Sequence, residues 1–287
     1  MKRTHLRGLL LCVSLAGPLA ACSDDGQGGG DGTGLTGIGG LGGIGGNTFN
    51  QCGVAAPAPS DAGHCTAVSA PGIADFDDYT TGAAASTYTY YVNGKPPAAD
   101  AVLGAILHID DGSATNGTSV ITTEMVTGEG DAGYAVQISD SNAVNWGGIL
   151  LFYFPSNGTT TCLNAPTYSG VEFSIKGAAP SGRIVVNLGM LDTIAVKDGG
   201  LCDNATATDC KNANIEWALP TDATTWAHVQ VPWGAFTPGV GSGRACVPVT
   251  GQNIVQLAIQ PLMSYPPPNY MLAPGPYAIA VDNVRFY

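Results

Sequence analysis

Basic residues are scarce in this 287-residue chain, where ten Lys and Arg stand against 22 Asp and Glu. Binding DNA or RNA requires a basic face that neutralises phosphates. The few cations spread from Lys95 to Arg285 supply none, so nucleic acid is excluded as a partner. Charge of either sign is sparse, at 11% of residues, which leaves solubility to hydroxyl and amide groups. Helical periodicity is nearly absent. No apolar run reaches the roughly 20 residues of a membrane-spanning helix. The sequence also has no G-x-S-x-G elbow, no H-E-x-x-H pair, and no phosphate-binding glycine loop between a strand and a helix. His64, His108 and His228 stand beside no recognisable nucleophile. Glycoside hydrolysis needs only two carboxylates, so Glu124, Glu129, Glu172 and Glu216 keep that alternative open. The solvated face of a strand is the simpler reading of Glu172.

What is there begins with a charged n-region, Lys2, Arg3 and Arg7, followed by the short apolar run Leu9 to Leu19. This is the pattern of a secretory signal. Leu19-Ala20-Ala21-Cys22 resembles the lipobox of bacterial lipoproteins. The resemblance implies that residues 1–21 are removed and that Cys22 becomes a lipid-bearing first residue. Acyl chains contributing about 0.8 kcal/mol per buried methylene would then hold the chain on a membrane. Ser23 resembles the residue found at that position in lipoproteins sent on to an outer membrane. The expected location is therefore the cell envelope, facing the periplasm or the cell surface. Without the signal, seven basic residues face 22 acidic ones, a formal charge of −15. Such a surface repels anionic headgroups, so attachment rests on the lipid. Residues 22–46 form a tether, more than half glycine from Gly26 to Gly46. It cannot offset the entropy of ordering and spans about 25 Å as a flexible coil.

In an oxidising compartment Cys52, Cys65, Cys162, Cys202, Cys210 and Cys246 read as three disulfides. Proximity favours Cys52 with Cys65 and Cys202 with Cys210, which leaves Cys162 with Cys246. A zinc site is the weaker reading, because no C-x-x-C pair is present. Residues 47–70 read as an irregular neck closed by one disulfide, and residues 71–287 as one domain. Strand signals bounded by turn residues recur at Ala135 to Ile138, Gly148 to Phe154, Val171 to Lys176, Arg183 to Leu188, Ala227 to Val231, Ile254 to Gln260 and Tyr277 to Phe286. Val171 to Lys176 alternates strictly, predicting one face on a core and one in water. Pro180-Ser181-Gly182 reads as a hairpin loop. The predicted fold is all-β, a two-sheet antiparallel sandwich of jelly-roll type, and a monomer is the default.

The order of several motifs carries a resemblance. Ile73-Ala74-Asp75-Phe76-Asp77-Asp78 opens the domain, Asn145-Trp146-Gly147-Gly148 precedes an apolar strand, and Tyr168-Ser169-Gly170-Val171-Glu172-Phe173-Ser174-Ile175-Lys176-Gly177 comes after it. Trp226 to Trp233 is next, and Ala280-Val281-Asp282-Asn283-Val284-Arg285-Phe286-Tyr287 closes the chain. Over residues 71–287 this resembles the galactose-binding-like jelly-roll carbohydrate-binding modules related to family 11, as carried by bacterial surface lipoproteins. The resemblance implies a non-catalytic polysaccharide-binding protein. It also implies a structural calcium where first and last strands meet, with Asp77 and Asp282 at matching positions and Asp75 or Asp78 beside them. Calcium takes six to eight hard oxygen ligands. The sequence departs from the family at Asp77, where Glu is common, and at Asn283, where a second Asp is common. The alternative for these residues is a solvated acidic turn and an outward alternation of Asp282. Sugar-stacking candidates are Tyr88, Tyr90, Trp146, Tyr265 and Tyr270, with Tyr91, Tyr153 and Tyr277 nearby, each weighed against core packing. Trp226 and Trp233 are expected in the core. A structural or adhesive lipoprotein without a sugar site is the second reading, and a polysaccharide-acting hydrolase the third.

Overall fold

The computed structural model describes residues 54–55, 65–74, 76, 87–92, 102–110, 121–131, 133–144, 146–154, 162–196, 200–203, 210–242, 245–263 and 274–287. Contacts divide the chain into a unit of residues 1–51 and a compact unit from Cys52 to Tyr287. The described strands are β1 (Val54–Ala55), β2 (Cys65–Ala67), β3 (Gly72–Ala74), β4 (Thr87–Val92), β5 (Val102–Asp110), β6 (Ile121–Thr127), β7 (Tyr134–Ala143), β8 (Gly148–Tyr153) and β9 (Cys162–Asn164). They continue with β10 (Gly170–Ala178), β11 (Arg183–Met190), β12 (Ala213–Ala218), β13 (Ala227–Pro232), β14 (Gly239–Val240), β15 (Ala245–Val247), β16 (Ile254–Pro261) and β17 (Gly275–Phe286). Only short 3-10 turns accompany them, and none of the described residues forms a helix long and apolar enough to cross a membrane.

Two large sheets form the predicted sandwich. The smaller runs β13-β10-β17-β7-β6, with β3 added beside β17. The larger runs β12-β11-β16-β8-β5-β4, with β9 beside β16 and β2 beside β9. Pairing within both is antiparallel except for β2 against β9. The chain passes repeatedly from one sheet to the other, as a jelly roll does. The seven strands predicted from the sequence correspond to β7, β8, β10, β11, β13, β16 and β17.

Alternation explains which side chains meet inside. Ile184, Val186 and Leu188 of β11 and Leu150 and Phe152 of β8 face Val171, Phe173 and Ile175 of β10 and Ile279 and Val281 of β17, all fully buried. Burial of one such side chain contributes about 1.5–3 kcal/mol. Phe76 shows how strongly packing dominates locally. It has a positive φ of 61°, a conformation costing a non-glycine residue roughly 1–2 kcal/mol, yet its ring is 1% exposed and lies 6.4 Å from that of Phe152.

Three expectations are corrected. Pro180-Ser181-Gly182 is not a hairpin loop, because β10 and β11 belong to different sheets; the turn, closed by Gly182 N–H donating to Ala179 O at 2.9 Å, carries the chain across the sandwich. Cys65 bonds Cys162 rather than Cys52, because parallel pairing sets the two opposite each other with Cα atoms 4.4 Å apart. That leaves Cys162 unavailable to Cys246, which is itself disulfide-bonded; Cys52 lies outside the described residues. Cys202–Cys210 forms as expected. Upstream of the domain's main strands, β1 pairs with β15 and β2 with β9.

Candidate functional site

The outer face of the larger sheet is assembled from alternate residues of β12, β11, β16 and β8. Registers place Glu216 opposite Val185, Val185 opposite Gln260, Asn214 opposite Asn187, and Asn187 opposite Ala258, which faces Leu151. Gly189 pairs with Gln256, which pairs with Tyr153. The face thus carries amides toward β12 and aromatic and aliphatic groups toward β8. Trp146 and Tyr153 pack on Ile149, Leu151 and Ala258, an apolar cluster separate from the main core. A Cβ at Gly189 would lie 2.6 Å from Gln256 Cγ and 2.9 Å from Ile194 Cδ1, so any larger residue there would displace those side chains.

The polar groups on this face are held in place, and several are left without partners. Gln260 donates from Nε2 to the Trp146 carbonyl at 3.1 Å, tying the Trp146 turn to β16. Arg183 Nη1 reaches Glu216 Oε2 at 2.8 Å, so the cation of these rows is neutralised locally. Among the described residues, the half-buried side-chain amides of Asn187, Asn214 and Gln256 have no hydrogen-bond partner in the protein. Each amide offers two N–H donors and two acceptor lone pairs. Uncharged donor–acceptor groups beside aromatic rings suit a neutral, hydroxyl-rich ligand that also has an apolar face.

The outer face of the smaller sheet is built differently. Glu172 is 3% exposed, and Ser174 and Asp282 are buried beside it. Gln230 and Arg285 flank Glu172 in the register. Gln230 Nε2 donates to its Oε2 at 2.7 Å, Arg285 Nε to its Oε1, and His228 Nε2 stands 3.4 Å from Oε2. Burial pushes the Glu172 carboxyl up, but the Gln230 and Arg285 hydrogen bonds and the Arg285 and His228 charges outweigh it and hold it below the usual range. The solvated reading of Glu172 is therefore overturned: a central strand position covered by its neighbours' side chains is not in water. The strict alternation of β10 conceals two buried faces.

Asp282 is likewise buried rather than turned outward to solvent. β17 bulges after it, with Asn283 in the left-handed region at φ 51°. Its Oδ1 accepts from Asn283 N–H at 2.7 Å and its Oδ2 from Glu129 N–H at 2.8 Å. Glu129 in turn accepts from Ser174 Oγ at 2.5 Å. Asp282 and Glu129 are hard oxygen donors of the kind calcium prefers. Among the described residues, however, no group of three or more His, Cys, Asp or Glu is placed to hold a metal. Asp75, Asp77 and Asp78 lie outside the described residues, so the described donors alone do not make a calcium cage.

Of the aromatic candidates, Trp146 is on the larger sheet's outer face. Tyr88 and Tyr90 lie on β4, where the register sets them opposite Ile106 and Gly104. Tyr265 and Tyr270 fall outside the described residues, as does Cys22. Tyr277 is in the core at 2% exposure, and Trp233 packs there as expected. Trp226 does not; it is half-buried, with Lys176 Nζ 4.5 Å from its ring centroid. The amides of Asn187, Asn214, Gln256 and Gln260 are not among the candidates that the sequence suggests. Their signal is amides, rather than charges, at the outward positions of otherwise apolar strands.

No family model matches the chain, and no curated protein matches it. Some solved structures resemble it at low identity. A family 11 carbohydrate-binding module of the cellulosomal cellulase Lic26A-Cel5E of Clostridium thermocellum is 13% identical, covering 76% of this chain and 94% of that one, with a TM-score of 0.39. A family 11 module of the same organism in complex with a β-1,3-1,4-mixed-linked tetrasaccharide is 14% identical over 76% and 96%, with a TM-score of 0.37. A β-1,2-glucanase from Parabacteroides distasonis is 10% identical over 75% of this chain and 24% of that one, with a TM-score of 0.33. At these identities and TM-scores the likenesses do not bear on what this chain does. The chemistry open to the outer face is set by its own side chains.

Proposed function

We propose that this chain is a non-catalytic, lipid-anchored carbohydrate-binding protein of the bacterial cell envelope, and that the outer face of its larger sheet takes a neutral polysaccharide. The observation that carries this reading is the set of unpartnered amides at Asn187, Asn214 and Gln256 on the sheet face that also carries Trp146 and Tyr153, with Gln256 opposite Tyr153. Hydroxyl groups of a sugar meet the amides, and its C–H face meets the rings. Glu216 is the single carboxylate on the rows described, and Arg183 engages it. Glycoside hydrolysis uses two carboxylates, so this arrangement favours binding over cleavage. The anchor is Cys22, the tether is residues 22–46, the location is the outer membrane, and the protein acts as a monomer.

The test is calorimetry and pull-down of the chain lacking residues 1–22 against glucans, xylans and galactans. Binding to one neutral class, lost in Asn187→Ala/Gln256→Ala, supports the reading. Absence of binding across the panel by a cooperatively melting protein overturns it and favours the adhesive role. Incubation of the same glycans without release of reducing ends is the expected result for a binder. Radiolabelled palmitate incorporated by the full chain and lost in Cys22→Ser tests the anchor. The calcium expectation predicts a melting midpoint that falls on chelation; an unchanged midpoint in metal-loaded protein contradicts it.

A further inference from the structure

β11 ends at Met190, and the chain then folds back over the outer face of the larger sheet as a closely fastened loop. The N–H groups of Thr193 and Ile194 both donate to Met190 O, at 2.8 and 3.0 Å, and Thr193 Oγ1 accepts from Met190 N–H at 2.9 Å. Leu201 N–H donates to Leu191 O at 2.7 Å, Cys202 N–H to Ile194 O at 2.9 Å, and Val196 N–H to Cys202 O at 3.0 Å. Gly200 passes so close to Ile194 that a Cβ there would stand 2.0 Å from Ile194 O. The Cys202–Cys210 disulfide ties the far end of the loop to the segment leading into β12.

This fastening displays apolar side chains instead of hiding them. Val196 is 58% exposed and Leu201 42%, and among the described residues no other large hydrophobic side chain is exposed. Ala195 pairs with Cys202 in a parallel bridge, and both are buried. Alternation therefore turns Ile194, Val196 and Leu201 to the opposite, outer side. Ile194 joins them to the candidate site, because its Cδ1 and the Gln256 carboxamide carbon lie 2.9 and 3.1 Å from the point where a Gly189 Cβ would stand. An aliphatic ledge thus continues the face directly beyond the unpartnered Gln256 amide. Apolar side chains left in water forgo the stabilisation of burial, and two of them on one fastened loop beside a polar site mark a contact surface.

The ledge differs in chemistry from Trp146 and Tyr153. Flat rings take the C–H face of a sugar ring, whereas branched methyl groups suit a small methyl-bearing substituent. The Gln256 amide beside them offers N–H donors to a carbonyl oxygen. A carbonyl and a methyl side by side make an acetyl group. We propose that Ile194, Val196, Leu201 and Gln256 form a subsite for an acetyl group on the bound glycan, so that the protein selects acetylated neutral polysaccharides. This rests on the carbohydrate-binding reading and adds the class of sugar to it. O-acetyl esters and N-acetyl amides share the chemistry.

The experiment is calorimetry of the full chain in mild detergent against two matched pairs of glycans. One pair is acetylated xylan and the same xylan after alkaline removal of its esters. The other is the hexasaccharides of chitin and of cellulose, which share a backbone linkage and differ in the acetamido group. The acetylated member of at least one pair is expected to bind about tenfold more tightly, and the ratio to fall close to one in Val196→Ser/Leu201→Ser. Preference in the xylan pair assigns an ester, and preference in the hexasaccharide pair an amide. Equal affinity within each pair overturns the proposal and leaves the carbohydrate-binding reading standing. A preference that survives in the variant also overturns it. Binding to none of these glycans does the same, and the glucan, xylan and galactan panel then decides the broader reading separately. Sedimentation of both proteins tests the other occupant: a wild-type dimer that the variant breaks, with the preference intact, would make the ledge a contact between copies and overturn the subsite.

Discussion

The two outer faces of the sandwich are both polar, yet they use their polar groups in opposite ways. On the smaller sheet, Glu172, Arg285, Gln230 and His228 satisfy one another, as do Ser174, Glu129, Asn283 and Asp282. On the larger sheet, Asn187, Asn214 and Gln256 keep their amides unpartnered on the face that carries Trp146 and Tyr153. A group already hydrogen-bonded inside the protein must give up a partner to bind a ligand, whereas a half-buried amide gives up only water. The first arrangement holds a sheet together, and the second leaves recognition to be done.

The largest test of that contrast is Asn187→Ala/Gln256→Ala. It should weaken glycan binding at least tenfold and move the melting midpoint by less than about 2 °C, since removing amides without protein partners leaves no buried group orphaned. Calorimetry and thermal melting read the two quantities. The reverse pattern would reverse the roles of the faces. Next is Arg285→Ala, which strips a charged donor from the buried Glu172 carboxylate. It should cost about 1–3 kcal/mol by urea unfolding and leave glycan affinity unchanged.

The same variant sharpens the contrast with pH. Because the folded-state pKa of Glu172 is depressed, its stabilisation is fully present above the unfolded carboxylate value, about 4.3, and is lost as pH falls through the lower folded value. The stability gap between wild type and Arg285→Ala should therefore hold from pH 7 to about pH 5 and close in stronger acid. A gap constant down to acid unfolding would mean that Glu172 is not the group Arg285 supports. The smallest effect belongs to the Arg183–Glu216 pair at the margin of the larger sheet, where Glu216 is substantially exposed. Glu216→Gln should change stability by less than about 1 kcal/mol.

Much of the sandwich is legible in the sequence, because β7, β10, β11, β13, β16 and β17 combine β-branched residues with clear turn boundaries. Less legible are β5, whose Val102–Asp110 run is interrupted by Gly104 and carries His108, and β12, whose Ala213–Ala218 holds Asn and Glu between its apolar residues. Alternation in Val171 to Lys176 correctly marks a strand. It cannot tell a solvated outer face from one sealed by cross-strand partners, because Gln230 and Arg285 come from segments 58 and 113 residues away. The disulfides show the same limit. Cys202–Cys210 is local and readable, whereas Cys65–Cys162 spans 97 residues and depends on a parallel strand pair that no local pattern announces. For the site, the aromatic Trp146 stands out by residue type. The amides do not, since the role proposed for them rests on their being on neighbouring strands and left without partners.

Hydrogen–deuterium exchange of the chain with and without a bound neutral polysaccharide tests the central claim most directly. The expected result is new protection in Arg183–Met190, Ala213–Ala218 and Ile254–Pro261, with Gly170–Ala178 and Ala227–Pro232 unchanged. Protection confined to those last two strands, or spread evenly over both sheets, would contradict it.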